Sequence, residues 1–116
     1  MVLAYVEKPW GNELVFAHTE QYVGKILTIN QGHRLSRQYH NVKDETIFVL
    51  EGTLCLELGA DENVTRVQLN AGHAFRIEPG VVHRFCATME EVKLVEVSTP
   101  ELDDVVRLED NYGRVR

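Results

Sequence analysis

The sequence predicts an all-β fold, built as an antiparallel sandwich or barrel. Clusters of Gly, Pro, Asn and Asp interrupt the chain at short intervals from Gly11 to Glu91, as turns between strands do. The segments between them are short and rich in β-branched and aromatic residues. No segment keeps an amphipathic helical period over a useful length. Many short strands at this spacing are typical of two packed sheets or of a closed barrel.

Eight strands are predicted between these turns, and together they cover most of residues 10–98. In chain order their sequences are ELVFA, YVGKILTI, TIFVLE, TLCLEL, VTRVQL, HAFRI, VHRFCA and VKLVEVS. The fifth gives the clearest signal, because apolar and polar residues alternate from Val64 to Leu69 as in a half-buried strand. The C-terminal segment PELDDVVRLEDNYGRVR is more charged. We expect it to form a last strand or a short helix, followed by a frayed tail.

The composition indicates one ordinary globular domain spanning residues 1–116. Of the 116 residues, 44% are hydrophobic and 26% are charged, which is enough to bury a core. The net charge of −6 argues against a broad nucleic-acid or anionic-membrane surface. No segment resembles a signal peptide or a membrane helix, and Cys55 and Cys86 are expected to be buried free thiols. We therefore expect a cytoplasmic location.

An amide, an imidazole and a carboxylate lie within eight positions, at Gln38, His40 and Glu45. Residues 38 and 40 are two apart, so in a strand both side chains leave from the same face. Glu45 follows a polar turn over residues 41–44 and can return beside them on the next strand. Converging nitrogen and oxygen donors can bind a metal ion, although the same residues can form an ordinary polar strand end. Spacing alone leaves both interpretations open.

A further histidine, His83, follows a turn at residues 78–80 and opens the next predicted strand. Taken alone, such a histidine is more often a surface or packed residue than a ligand. Together with the first cluster, however, it completes two blocks with glycines at set intervals, residues 32–52 and 72–83. These blocks resemble the two motifs of the cupin superfamily, although most metal-binding cupins have a histidine in place of Gln38. The resemblance implies a small jelly-roll barrel (a double-stranded β-helix) with one divalent metal ion and four ligands: Gln38, His40, Glu45 and His83.

The pattern Gln-x-His followed by Glu resembles more closely the isomerase domain of type II (bifunctional) phosphomannose isomerases. The segments EKPWG, RLSRQYH, GVVHRF and DDVVRLEDNYGR resemble that family as well. The resemblance implies interconversion of an aldose and a ketose sugar phosphate, such as mannose 6-phosphate, through an enediol. Zinc is the implied metal, and manganese, iron or nickel suit the same donors. The chain departs from the family at Thr46-Ile47, where His-Trp is usual, and in a shorter segment between Ser98 and Asp103.

A sugar phosphate also requires cations for its phosphate group. Guanidinium groups match phosphate oxygens well, and the candidates are Arg34, Arg84 and Arg114, of which the first and last match family motif positions. We assign no catalytic base. Lys25 matches a recurrent lysine of the family, whereas a structural role is expected for three other residues near the motifs: His33, His73 and Glu78.

Two other functions are open to the same sequence: a non-catalytic sugar-binding or regulatory cupin, and a cupin dioxygenase with a redox metal. In every case we expect the ligands to point into the barrel among Phe48, Leu50 and either Phe75 or Phe85. We also expect a homodimer that pairs at the terminal strand within residues 5–16, because pairing covers an exposed sheet edge. No nucleic-acid or membrane partner is expected.

Overall fold

The computed structural model describes residues 4–115 and confirms the predicted all-β jelly-roll barrel. Within that range the chain forms eleven strands and one short 3₁₀ turn, and no helix there is long and apolar enough to cross a membrane. In chain order the strands are β1 (Ala4–Lys8), β2 (Gly11–His18), β3 (Val23–Ile29), β4 (Arg37–Tyr39), β5 (Glu45–Glu51), β6 (Thr53–Leu58), β7 (Thr65–Asn70), β8 (Ala74–Ile77), β9 (His83–Cys86), β10 (Val92–Ser98) and β11 (Val106–Glu109). The 3₁₀ turn, Asp61–Asn63, lies between β6 and β7.

The strands form two antiparallel sheets that face each other across the core. The six-stranded sheet has the order β1-β2-β3-β10-β5-β8, and the five-stranded sheet has the order β11-β4-β9-β6-β7. Successive side chains of each strand point alternately to the core and to the outer face. Apolar side chains fill most inward positions, among them Trp10, Leu27, Ile47, Leu54, Phe85 and Leu94. Polar residues occupy a few inward positions, and these residues mark the site described below.

The eight predicted strands are all present, and three further strands complete the sheets. β1 precedes the predicted region, β4 is only three residues long, and β11 lies in the charged C-terminal segment. For that segment the strand alternative is confirmed, because β11 pairs with β4. The expectation of a frayed tail is wrong. The Tyr112 hydroxyl lies 2.7 Å from His33 Nδ1, and Arg114 is bonded to Asp110.

Two of the predicted inward neighbours of the ligands point the other way. Phe48 and Leu50 lie on the outer face of the six-stranded sheet, each 41% exposed. The reason is the two-residue period of β5. Because Glu45 points inward, Ile47 and Val49 do so too, and the residues between them must face outward. The prediction for Phe85 is correct, since its ring is buried in the core, and Phe75 packs against the core from a partly buried position.

Candidate metal centre

Three of the four predicted ligands converge inside the barrel. One ligand atom from each of His40, Glu45 and His83 lies within 4.8 Å of the other two, and all three residues are buried. Glu45 Oε1 is 3.0 Å from His40 Nε2 and 3.3 Å from His83 Nε2. The two imidazole rings are 5.1 Å apart, centre to centre. The geometry therefore places two nitrogen donors and one carboxylate around a common point.

Both sheets contribute to this cluster. His40 follows β4 and His83 opens β9 in the five-stranded sheet, whereas Glu45 opens β5 in the six-stranded sheet. The predicted turn over residues 41–44 is present and carries the chain from one sheet to the other, whereas the sequence had indicated only a return of Glu45 on the next strand. Inward-facing strand ends thus bring the three side chains together, which explains how residues far apart in the chain meet.

Gln38 lies on the same wall, one strand away from His83. The two residues are register partners between β4 and β9, so their side chains leave from the same face. Gln38 lines the cavity next to His40, and its Oε1 accepts a hydrogen bond of 2.7 Å from the Ser36 hydroxyl. Its role as the fourth ligand stays a prediction, with the amide oxygen as the donor atom.

Hydrogen bonds on the far side of each imidazole set its orientation. His40 Nδ1 is 2.6 Å from the Asp104 carbonyl oxygen, and His83 Nδ1 is 2.9 Å from the Val81 carbonyl oxygen. A carbonyl oxygen can only accept, so both Nδ1 atoms carry the proton and donate it. In neutral imidazoles both Nε2 lone pairs then face the Glu45 carboxylate, an arrangement that requires either added protons or a cation.

The cluster also has buried polar atoms that make no hydrogen bond. Within residues 4–115, Glu45 Oε2 and His83 Nε2 are buried without a hydrogen bond. Such atoms are costly to bury unless something satisfies them. A divalent metal ion would satisfy both at once, and imidazole nitrogens with a carboxylate oxygen are donors that suit zinc, manganese, iron or nickel. The residues present therefore fit the metal that the sequence resemblance implies.

The charged groups around the site favour different protonation states for two carboxyl groups. Burial raises the pKa of Glu45, but the imidazoles of His40 and His83 and the charge of Lys43 outweigh burial and hold that pKa well below its ordinary value. Burial, together with the negative charge of Glu45, raises the pKa of Glu96 to about 8. One carboxylate is thus kept ionised for a cation while its neighbour tends to keep a proton.

Four inward-facing charged residues near the site were not predicted to line it. Lys43 Nζ lies 3.3 Å from Glu96 Oε2 and 3.6 Å from Glu45 Oε2. Farther along the cavity, Lys25 Nζ lies 3.4 Å from Glu13 Oε2. The sequence contains a signal for two of them. In VGKILTI and VKLVEVS, Lys25 and Glu96 each occupy the apolar face of an alternating strand, where a charge needs a partner.

Asp104 supports the site from the C-terminal segment, and sequence reasoning missed it. Its carboxylate accepts hydrogen bonds from three consecutive backbone N–H groups, at Asn41, Val42 and Lys43, over 2.7 to 3.0 Å. These bonds lower the pKa of Asp104 to about 2. The backbone carbonyl of Asp104 also accepts the hydrogen bond from His40 Nδ1. Asp104 therefore orients a candidate ligand and anchors the loop that follows it.

The three predicted phosphate ligands lie in different places. Arg114 lines the cavity, whereas Arg34 and Arg84 are not among the residues that line it. Arg84 is 1% exposed on the outer side of β9, because inward His83 and Phe85 flank it. Its guanidinium donates to the Leu35 carbonyl at 2.8 Å and to Asn111 Oδ1 at 3.0 Å. Arg84 thus fastens the C-terminal segment and is not placed to contact a substrate in this cavity.

An open cavity of about 590 Å³ reaches the cluster at His40, whereas Glu45 and His83 are not among the residues that line it. At its inner end it meets Gln38, His40 and Lys43, and apolar side chains such as Trp10 and Phe85 form part of its walls. This size is within the range of small-molecule sites. A ligand that enters the barrel would therefore approach a metal ion at the cluster from the side of His40.

Comparison with known proteins agrees with this description. The family model for the Cupin domain matches residues 25–98. The chain is 32% identical over 117 residues to mannose-1-phosphate guanylyltransferase ManC of Salmonella typhimurium (strain LT2), a match that covers 95% of this chain and 23% of that protein. It is also 32% identical over 113 residues to the xanthan biosynthesis protein XanB of Xanthomonas campestris pv. campestris, covering 94% and 23%. The chain thus spans about a quarter of the length of these relatives.

Among solved structures, KdgF from Halomonas sp. has the same fold. The two superpose with a TM-score of 0.74 at 19% identity, over 86% of this chain and 90% of that one. At this identity the likeness concerns the arrangement of the strands alone.

Proposed function

Since the chain belongs to the cupin family, we propose that it is a metal-dependent isomerase that interconverts an aldose and a ketose sugar phosphate, of the mannose-6-phosphate type. The observation that carries the proposal is the buried cluster of His40, Glu45 and His83, which has unsatisfied polar atoms and of which His40 lines an open cavity. The similarity to ManC, a mannose-1-phosphate guanylyltransferase, extends over nearly the whole chain and supports mannose chemistry.

Isomerisation through an enediol moves a proton between two adjacent carbons. A bound divalent metal ion, most suitably zinc, would supply Lewis acidity toward the carbonyl and hydroxyl oxygens. His40, Glu45, His83 and Gln38 would hold it. The proton must be accepted and returned by a side chain within reach, and Glu96, Lys43 and Lys25 are the inward-facing candidates.

The departure from the family at Thr46-Ile47 does not alter the lining of the site. Thr46 alternates with the inward Glu45 and therefore faces outward, and Ile47 is fully buried in the apolar core. Neither residue lines the cavity. A change at these positions is therefore compatible with the same reaction.

The test is an isomerase assay on metal-loaded protein with mannose 6-phosphate. We expect formation of fructose 6-phosphate that stops with a chelator and returns when zinc is added. Absence of turnover by protein with a full equivalent of metal would contradict the isomerase. Tight sugar-phosphate binding without turnover would then favour the non-catalytic cupin. Oxygen consumption that requires iron would favour the dioxygenase.

We propose a cytoplasmic location on the basis of the cysteines. Cys55 and Cys86 are direct register partners on β6 and β9, yet both are free. Cys86 is buried as predicted, and burial raises its pKa to about 11, whereas Cys55 is half-buried. Two free thiols at neighbouring positions suit a reducing compartment.

We also propose a homodimer that pairs through the free edge of the six-stranded sheet. β1 is the first strand of that sheet and, among residues 4–115, pairs only with β2. On its outer face Tyr5 is 54% exposed, and Phe16 on the next strand is 43% exposed. Pairing two β1 edges across a two-fold axis would satisfy backbone groups that otherwise face solvent. Light scattering at micromolar concentration should return twice the mass of one chain, and the mass of a single chain would contradict the dimer.

A further inference from the structure

The C-terminal segment runs from the metal centre to the outer face of the five-stranded sheet. Near its start, the Asp104 carbonyl oxygen accepts a hydrogen bond of 2.6 Å from His40 Nδ1. The chain then enters β11, the edge strand of that sheet, which pairs with β4. β11 ends at Glu109, a residue of the segment DDVVRLEDNYGR that has no part in the proposed reaction.

Glu109 pairs with two buried guanidinium groups. Its Oε1 lies 3.0 Å from Arg37 Nε on β4, and its Oε2 lies 3.6 Å from Arg84 Nη1 on β9. The side chains of Arg37 and Arg84 are 7% and 1% exposed, whereas that of Glu109 is 52% exposed. The carboxylate therefore lies on the solvent side of the two arginines and ties β11 to both of these strands.

The two arginines depend on this carboxylate, because charged groups are rarely buried without a partner. A second carboxylate on the same face, that of Glu57, lies 2.7 Å from Arg37 Nη2 and 3.1 Å from Arg66 Nε. Glu57 is thus shared between two guanidinium groups. Within residues 4–115, Glu109 is the carboxylate that pairs with Arg84. Without Glu109, the hydrogen bonds of Arg84 would go to neutral acceptors alone.

The docking of β11 also determines where Asp104 lies. A single residue, Val105, separates Asp104 from β11. Asp104 orients His40 through its carbonyl oxygen and anchors residues 41–43 through its carboxylate. Glu109 does not line the cavity, and its ion pairs are with arginines and not with a candidate ligand. Its influence on the metal centre must therefore pass through the residues that it holds.

We propose that Glu109 is a positioning residue for the metal centre. By tying β11 to Arg37 and Arg84, it holds Asp104 in place and, through Asp104, the imidazole of His40. Metal binding and the docking of the C-terminal segment are then coupled, and such coupling is reciprocal. Loosening β11 weakens metal binding, and a bound metal ion stabilises β11. The inference rests on the metal centre of the proposed function and not on the isomerase reaction.

The test is the zinc affinity of the full chain, measured by competition with a chromogenic chelator. Glu109→Ala should weaken zinc binding about tenfold, the lower end of the range for residues that support ligands. Glu109→Gln keeps an acceptor oxygen without the charge and should recover part of the affinity. The matched control is Arg66→Met, which removes an exposed charge from β7, the opposite edge strand, where it pairs with buried Glu57. The control should stay within about twofold of the wild type.

A double-mutant cycle with Asp104→Ala separates positioning from a general loosening of the fold. If Glu109 acts through Asp104, Glu109→Ala should change zinc affinity by about twofold or less once Asp104→Ala is present. Cobalt-loaded Glu109→Ala should show a change in its visible spectrum in the same direction as cobalt-loaded Asp104→Ala. Hydrogen exchange reports the reciprocal effect, since zinc should slow the exchange of the β11 amides in the wild type.

The outcomes are distinct. Unchanged zinc affinity in Glu109→Ala would refute the positioning role, and so would an equal loss in Arg66→Met or full additivity with Asp104→Ala. If Glu109→Ala does not fold, Glu109→Gln and the effect of zinc on exchange in the wild type decide. A wild type that binds no zinc would refute the metal centre and this role together. Weakened zinc binding by Glu109→Ala, in a protein whose wild type shows no isomerase activity, would keep the positioning role and reject the reaction alone.

Discussion

Replacing both His40 and His83 by alanine should abolish metal binding and leave the barrel folded. The double change removes the two nitrogen donors whose Nε2 atoms lie 3.0 and 3.3 Å from Glu45 Oε1. A carboxylate alone cannot retain a divalent ion against water, so affinity should fall by more than the 10- to 100-fold typical of changes outside the ligand shell. The apolar core does not depend on either histidine. Metal content after dialysis against buffered zinc should drop from one equivalent to near zero.

The exposed His73 supplies the control for this experiment. Its Nδ1 accepts a hydrogen bond from the backbone of Asn70 in a turn, away from the cavity. His73→Ala should therefore keep a full equivalent of zinc. Circular dichroism should show strand structure in both proteins. A double variant that still holds one equivalent of metal would show that the ion is bound elsewhere.

Replacing Asp104 by alanine should weaken metal binding about 10- to 100-fold, although Asp104 contacts no metal. The carboxylate anchors three backbone N–H groups of the loop before Glu45, and the same residue's carbonyl orients His40. Without the carboxylate, both the loop and the imidazole lose their common support. Asp104→Asn keeps one acceptor oxygen and should recover part of the affinity. A cobalt-loaded protein should show the altered ligand geometry as a change in its visible spectrum.

Asp103→Ala is the matched control, since it removes an exposed carboxylate from the adjacent position. Its effect on zinc affinity should be within about twofold, the size of an exposed charge contribution. An Asp104→Ala protein with the zinc affinity and cobalt spectrum of the wild type would contradict the positioning role.

The low pKa of Asp104 also determines how this support responds to acid. The folded state lowers the pKa from 3.8 to about 2, so the ionised carboxylate is favoured by folding. Its stabilising effect is complete above the ordinary value and is lost as the pH falls through about 2. At neutral pH the loop therefore stays anchored.

The sequence was informative where function depends on local spacing. The period of two and the turn over residues 41–44 placed Gln38, His40 and Glu45, and the motif resemblance added His83. It was less informative where a side chain's surroundings come from distant strands. Arg84 could be recognised as a phosphate candidate by type. Its burial against Leu35 and Asn111, however, depends on how the C-terminal segment folds over β9.

Asp104 and two cavity-lining residues, Lys8 and Arg107, escaped prediction for the same physical reason. Asp104 acts on residues about sixty positions earlier in the chain, and nothing in its immediate neighbours indicates three backbone partners. Lys8 and Arg107 become neighbours of one cavity only after the two ends of the chain have joined different sheets. The errors at Phe48 and Leu50 are of another kind. The two-residue period, applied from Glu45, already excluded an inward position for both.

The residues that match the family model and several of the residues that line the cavity occupy different parts of the chain. The Cupin domain match ends at residue 98 and contains every predicted ligand, but it leaves out Lys8, Asp104, Arg107 and Arg114. A fragment cut to that match would retain the donors without the support for His40 and without these cavity-lining residues. Under the proposed function, the middle of the chain would provide the reactive centre, and the two ends would provide part of the cavity wall. Exchanging the ends between related barrels would therefore alter the cavity and leave the candidate metal donors in place.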